Sequence, residues 1–209
     1  MKKDILIIGA SGFGREVAWL IEELEEWNIK GFIDDNENLR GKTINEYEVL
    51  GNCDDLMQFT SPINVVIAIG NPKIRKQIYQ KLSKNPNILY PNIIANDVRI
   101  SNTNRLGIGN IICTHTILTT NITIGNFNHI NLSCTLGHDA ILKDYVTVYP
   151  GVNISGNVVI GSLAELGTGS KIIQGITISG EIIVGAGGVV VKDLINKGTY
   201  VGIPVKKIC

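Results

Sequence analysis

Aliphatic residues recur at every sixth position between residues 100 and 190: Ile100, Leu106, Ile112, Leu118, Ile124, Ile130, Leu136, Leu142, Val148, Ile154, Ile160, Leu166, Ile172, Ile178, Val184 and Val190. Neither the period of a helix nor the alternation of a half-buried strand produces that spacing. A six-residue unit holds one short strand and one turn, and three units make one coil of a triangular parallel β-helix. The fifteen intervals in the series predict about five coils. A second position in each unit is often small or apolar (Ile122, Cys134, Ala140, Val146, Val152, Val158, Ala164, Ile176, Ile182) and is expected to point into the prism beside the main stack. Glycine or asparagine often stands near the turns, where a sharp corner favours left-handed backbone angles. The repeat predicts a solenoid and leaves its handedness open.

The pattern before residue 86 is different. Apolar strands are expected at 5–8 and 30–33, a helix at 13–26, and a longer apolar run at 65–69; residues 73–81 then have helical character, with Pro72 where its missing N–H costs nothing. Alternating strands and helices predict a small parallel α/β sheet that takes ligands at the carboxyl ends of its strands. Residues 83–97, with two prolines and four asparagines, read as a connector. The expected division is therefore a Rossmann-like domain at 1–85 and an all-β solenoid at 86–209.

Composition narrows the partners. Lysine plus arginine equals aspartate plus glutamate at 19 each, which gives no basic surplus to attract nucleic acid or an acidic membrane. The first apolar run meets Arg15 and Glu16 too soon for a signal peptide, and no stretch approaches the ~20 apolar residues that cross a bilayer. A cytoplasmic protein is expected. Cys53, Cys113, Cys134 and Cys209 lack metal-type spacing, so neither disulfides nor a metal is expected. A prism this short leaves apolar flanks such as Ile111, Ile117 and Ile183, and a closed cyclic trimer would cover them.

Gly9-Ala10-Ser11-Gly12-Phe13-Gly14 follows a strand and opens a helix, the setting in which N–H groups hold a phosphate. Its spacing departs from the dinucleotide fingerprint at Ser11, which argues against a nicotinamide-dependent oxidoreductase; a bare strand-to-helix turn is the alternative. Asp34 and Asp35 close the second strand and could accept hydrogen bonds from a ribose or a base, or form a solvated turn. Gly70-Asn71-Pro72 closes the third. Ser11, Gly12, Gly14, Asp34, Asp35, Gly70 and Asn71 are thus the candidates for holding a nucleotide or a sugar attached to one.

Acyl transfer from a thioester to an amine or hydroxyl needs a base, and imidazole is matched to that near neutral pH. Of His115, His129 and His138, only His138 has a carboxylate beside it in sequence, Asp139; the others read as residues of polar turns. His138 is the candidate base, against a plain surface histidine. Cys134 is a rival nucleophile by type, but its small inward position reads as a packed core thiol. Asp144, Glu165 and Asp193 read as solvated turn or cap residues.

The hexad series, Gly137-His138-Asp139, Ile154-Ser155-Gly156-Asn157-Val158 and Gly202-Ile203-Pro204-Val205-Lys206 resemble the hexapeptide-repeat acyltransferases. With Gly9–Glu16, Gly31-Phe32-Ile33-Asp34-Asp35 and Ala68-Ile69-Gly70-Asn71-Pro72 in front, the whole chain is similar to the bacterial nucleotide-sugar N-acetyltransferase and sialic acid O-acetyltransferase family. The resemblance implies a left-handed β-helix, a homotrimer, and acetyl-coenzyme A between neighbouring prisms. It also implies a nucleotide-linked deoxysugar whose 4-amino group is acetylated for surface glycan synthesis. His138 would be the base, Asp139 its orienting residue, and Asn131 a neighbour of the reacting amine. Gly156, Gly167, Thr168, Gly185 and Ala186 would line the coenzyme groove. Thr147 stands where many relatives carry a second histidine, Val205 replaces an alanine, and Asp139 is shorter than the glutamate of some relatives. Sugar O-acetylation and a non-catalytic nucleotide-sugar-binding trimer are the competing readings.

Overall fold

In the computed structural model, which describes residues 2–209, the chain forms two compact units, one ending at Ala95 and one spanning Asn96–Cys209. The first runs β1 (Lys3–Ile8), α1 (Gly12–Glu23), β2 (Trp27–Ile33), β3 (Thr43–Ile44), β4 (Tyr47–Gly51), α2 (Cys53–Leu56), β5 (Ile63–Ile67), α3 (Pro72–Leu82) and β6 (Ile88–Leu89). The sheet order is β3-β4-β2-β1-β5-β6, with β1 parallel to both β2 and β5. Ile5, Leu6, Ile7 and Ile8 are all buried, which is why this strand reads as a continuous apolar run. Helix α1 covers the sheet with Val17, Ala18, Leu20 and Ile21.

Several boundaries move. Helix α1 stops at Glu23 rather than at residue 26, because Leu24 turns to an extended conformation and Trp27 already begins β2. The third expected strand lies at Ile63–Ile67 instead of 65–69. The first unit ends after Ala95 rather than residue 85, since the supposed connector supplies β6, which pairs Ile63 with Ile88.

The second unit is a left-handed parallel β-helix whose paired residues are separated by one coil of eighteen, as in Ile117↔Thr135, Thr135↔Asn153 and Asn153↔Lys171. Of the sixteen aliphatic positions, all but Ile100 and Leu106, at the open first end, are buried. The second inward positions are buried as well. Polar residues share them: Asn110, Thr116, Asn128 and Ser170 are 0% exposed. Asn110 Oδ1 accepts the Asn128 N–H at 2.8 Å and Asn128 Oδ1 accepts the Val146 N–H at 2.7 Å, so side-chain amides continue the ladder up one corner.

From Gly109 to Gly187 each successive corner places one residue in the left-handed region. The series Gly109, His115, Asn121, Phe127, Ser133, Asp139, Tyr145, Gly151, Asn157, Leu163, Gly169, Gly175, Glu181 and Gly187 has φ between 54° and 77°. A left-handed conformation costs a non-glycine residue about 1–2 kcal/mol. Packing offsets it at two of these sites, where Phe127 and Tyr145 stack one coil apart with ring centroids 5.5 Å apart. Of the three supposed flank residues, Ile117 and Ile183 are 40% and 41% exposed, whereas Ile111 is buried beside buried His129 in the outward row of its face.

Candidate active site

At the carboxyl edge of the α/β sheet, the ends of β2, β1 and β5 lie side by side. Gly9 has φ +101°, and a side chain on Gly14 would sit 1.8 Å from the Gly9 carbonyl, so both glycines answer to the tight strand–helix turn. Ser11 caps α1 through its backbone only; it and Gly12 are exposed at the helix start. Asp34 accepts the Ala10 N–H with Oδ2 and the Asn36 N–H with Oδ1, each at 2.9 Å, tying the glycine turn to β2. Asp35 accepts the Cys53 N–H at 2.9 Å. Asn71 caps α3 by accepting from Lys73 and Ile74, while a side chain at Gly70 would meet nothing within 4 Å.

A cleft of about 370 Å³ opens between these strand ends and α3, lined by Gly9, Asp34, Asp35, Cys53, Ile69 and Ile74. It continues along α3 past Ile78 to Gln77 and Lys81. Burial pushes the Cys53 thiol up to about 12, so it lines the cleft as an apolar group. Sequence reasoning missed Arg75, which is fully buried and donates through Nη1 to the carbonyls of Ile69 (2.6 Å) and Gly70 (3.1 Å). Its position on α3 carried no signal, because an arginine in a polar helix reads as solvated.

In the β-helix, His138 and Asp139 stand on the corner after the strand Thr135–Leu136. Asp139 occupies the left-handed position at φ 61°, which turns its carboxylate back to His138 Nδ1 at 2.8 Å despite the short side chain. The hydrogen bond from His138 holds the Asp139 carboxyl below the usual carboxylate range, with a further contribution from the Asn121 side chain. With Nδ1 engaged, Nε2 is the nitrogen left to take a proton. The imidazole lies over Gly156, where a Cβ would be 2.5 Å from Nε2. The His138 side chain is 50% exposed.

The other expected residues fall on a different edge. Asn131 follows the strand His129–Ile130, and Gly167-Thr168 and Gly185-Ala186 follow Glu165–Leu166 and Ile182–Val184 of the same face. Asn131 Oδ1 accepts the adjacent Leu132 N–H at 2.8 Å. Gly167 is required by coil stacking, since a Cβ there would be 2.6 Å from the Ala186 nitrogen. The six residues between corners span on the order of 15 Å.

A second histidine–carboxylate pair escaped the sequence, because its partners are one coil apart: His115 Nδ1 lies 2.7 Å from Asp97 Oδ2. An eighteen-residue offset, three hexads, is the signal that finds it. Asp97 also accepts from the Thr114 hydroxyl and the His115 N–H, and these bonds, the hydroxyl's foremost, hold its carboxyl below the usual range. A depressed carboxylate contributes stability above its unfolded pKa and loses it as pH falls through the folded one. Asp97→Asn should therefore lower the urea midpoint at pH 7 and leave it nearly unchanged at pH 2; an equal loss at both would reject the charge-dependent role.

His129 is not in a turn; it lies buried on its strand. Cys134 is buried and burial pushes its thiol up to about 11, which removes it as a nucleophile. Asp144 caps the Asn126 N–H at 2.7 Å and Asp193 the Thr177 N–H at 2.8 Å, whereas Glu165 lies on a strand. Among the described residues no group of three or more His, Cys, Asp or Glu could hold a metal ion. No helix is long and apolar enough to cross a membrane.

The PglD N-terminal domain family matches residues 4–82. The structure of WeeI from Acinetobacter baumannii AYE is 34% identical, covering 99% of this chain and 100% of that one, with a TM-score of 0.88. The acetyltransferase domain of PglB from Neisseria gonorrhoeae FA1090, in complex with acetyl coenzyme A, is 29% identical over 100% of both chains, with a TM-score of 0.93. An asparagine-for-histidine mutant of perosamine N-acetyltransferase from Caulobacter crescentus, in complex with CoA and GDP-perosamine, is 27% identical over 99% of this chain and 97% of that one, with a TM-score of 0.91. Among curated proteins none matches.

Proposed function

The chain belongs to the bacterial hexapeptide-repeat sugar N-acetyltransferases, and from that we propose that it moves the acetyl group of acetyl-coenzyme A to the 4-amino group of a nucleotide-linked deoxysugar, with His138 as general base. The observation that carries this reading is the imidazole itself. It is held by Asp139 through Nδ1, half exposed, and stacked on a glycine whose N–H makes no bond within the described residues. The neutral amine attacks the thioester carbonyl while Nε2 of His138 takes its proton. The Gly156 N–H donates to the developing oxyanion. As the tetrahedral intermediate collapses, the imidazolium returns the proton to the leaving thiolate. No acyl-enzyme is needed, consistent with the buried, weakly acidic thiol of Cys134.

The nucleotide is assigned to the cleft of the α/β unit. Its diphosphate lies at the exposed start of α1 around Ser11, Gly12 and Gly14; ribose and base run along Asp34, Asp35, Gly70 and Asn71 toward α3. The coenzyme is assigned to Gly156, Gly167, Thr168, Gly185 and Ala186. These residues occupy two edges of one prism, which supports a cleft formed by one edge of one chain and the other edge of its neighbour. A closed trimer supplies three such clefts and covers Ile117 and Ile183. Four unbridged cysteines fit a cytoplasmic enzyme.

The test is thiol release from acetyl-coenzyme A with uridine, thymidine and guanosine diphosphate sugars bearing either a 4-amino or a 4-hydroxyl group, alongside sedimentation. Release with at least one amino sugar by a trimeric species is expected. A monomer, or release only with hydroxyl sugars, would overturn the reading.

A further inference from the structure

The edge that carries Asn131 holds a column of residues spaced by one coil: Cys113, Asn131, Tyr149, Gly167 and Gly185. Cys113 is buried and the last two have no side chain, so half-buried Tyr149 is the one large group on this strip, directly between Asn131 and Gly167. Its hydroxyl donates to Glu165 Oε2 at 3.0 Å. The strand residues beside the strip cannot reach a ligand in the first coils, because His129 is 1% and Thr147 3% exposed. Tyr149 and Glu165 are therefore the first partly exposed polar side chains beyond Asn131 along this edge. In its row Glu165 has Thr147 on one side and Ile183 on the other, so neither flanking residue neutralises the carboxylate.

We infer that Tyr149, backed by Glu165, binds the acceptor's amino group and selects an amine over a hydroxyl. With its proton committed to Glu165, the phenol group meets a ligand on its half-buried edge as a hydrogen-bond acceptor and no longer as a donor, and the carboxylate behind it adds negative charge. An amino sugar arrives largely as an ammonium ion near neutral pH, if its pKa resembles that of an α-amino group at about 8. That cation donates to the phenol oxygen and is attracted by the charge, whereas a hydroxyl gains only a neutral hydrogen bond. The bound ammonium then loses one proton to solvent to become the nucleophile, and His138 of the chain across the cleft removes the second during attack. Tyr149 is thus a substrate contact and Glu165 a positioning residue. The inference rests on the shared cleft proposed above.

Tyr149→Phe and Glu165→Gln test it in the full-length protein, with the 4-amino sugar that the wild type acetylates as substrate. Both variants should raise KM for that sugar about tenfold, the size expected for a charge-assisted hydrogen bond, with KM for acetyl-coenzyme A unchanged and kcat within about threefold. In the wild type, KM for the sugar should rise as pH passes the amine's pKa, and both variants should flatten that dependence. A merely structural role would lower the melting temperature without touching the pH dependence. Unchanged KM and pH dependence in both variants, with an active wild type and an inactive His138→Ala, would overturn the inference alone. A wild type that releases no thiol with any amino sugar would overturn the proposed function beneath it.

Discussion

His138→Ala is expected to lower kcat for acetyl transfer by roughly 10²–10⁴-fold, the usual contribution of a positioned general base. Both KM values should change little, because proton removal is felt in the transition state and not in ground-state binding. The loss should be purely chemical. The side chain is 50% exposed, its one side-chain hydrogen bond goes to Asp139, and Asp139 also bonds the Asn121 side chain, so the corner keeps its shape without the ring. Melting temperature and sedimentation should therefore match the wild type. A variant with unchanged kcat and intact assembly would remove His138 from the mechanism.

The period that reveals the β-helix is legible because the main inward row of a narrow prism is filled by aliphatic side chains without interruption, and a residue of another size in that row would leave a cavity or a clash. The second inward position was legible only where it was apolar. Asn110 and Asn128 occupy it too, but their polarity reads as surface until their amides are seen bonding to backbone one coil away. The corners were half legible: glycine and asparagine mark a left-handed residue, whereas Phe127, Tyr145 and Leu163 adopt it although their residue type carries no such signal. His138–Asp139 could be found because its partners are adjacent in sequence. His115–Asp97 and Tyr149–Glu165 could not, since contacts across coils fall at offsets of eighteen and sixteen residues. In the α/β unit, the three strand ends were placed correctly side by side, while β3, β4, α2 and β6 were too short or too exposed to carry a periodic signal.

Gly156→Ala should separate catalysis from folding. The added methyl would stand 2.5 Å from His138 Nε2, 2.6 Å from Cε1 and 3.0 Å from Cδ2, all on one rotatable side chain. Gly156 does not have a positive φ, so alanine brings no backbone strain, and the ring swings away instead of the coil opening. Displacing a base by about 1 Å costs on the order of 10²-fold in rate, so kcat should fall by about that factor with the melting temperature little changed. The contrast is Gly137→Ala, beside His138 in the coil below. There the methyl would meet the Gly156 nitrogen at 2.5 Å and the Ser155 carbonyl carbon at 2.7 Å, backbone atoms that cannot rotate aside. That variant should lose about 1–3 kcal/mol of stability, as for an overpacked core. Two alanines on successive coils, one inactive but stable and the other unstable, are what an imidazole resting on a glycine ledge predicts; full kcat in Gly156→Ala would mean that the ring does not act from this position.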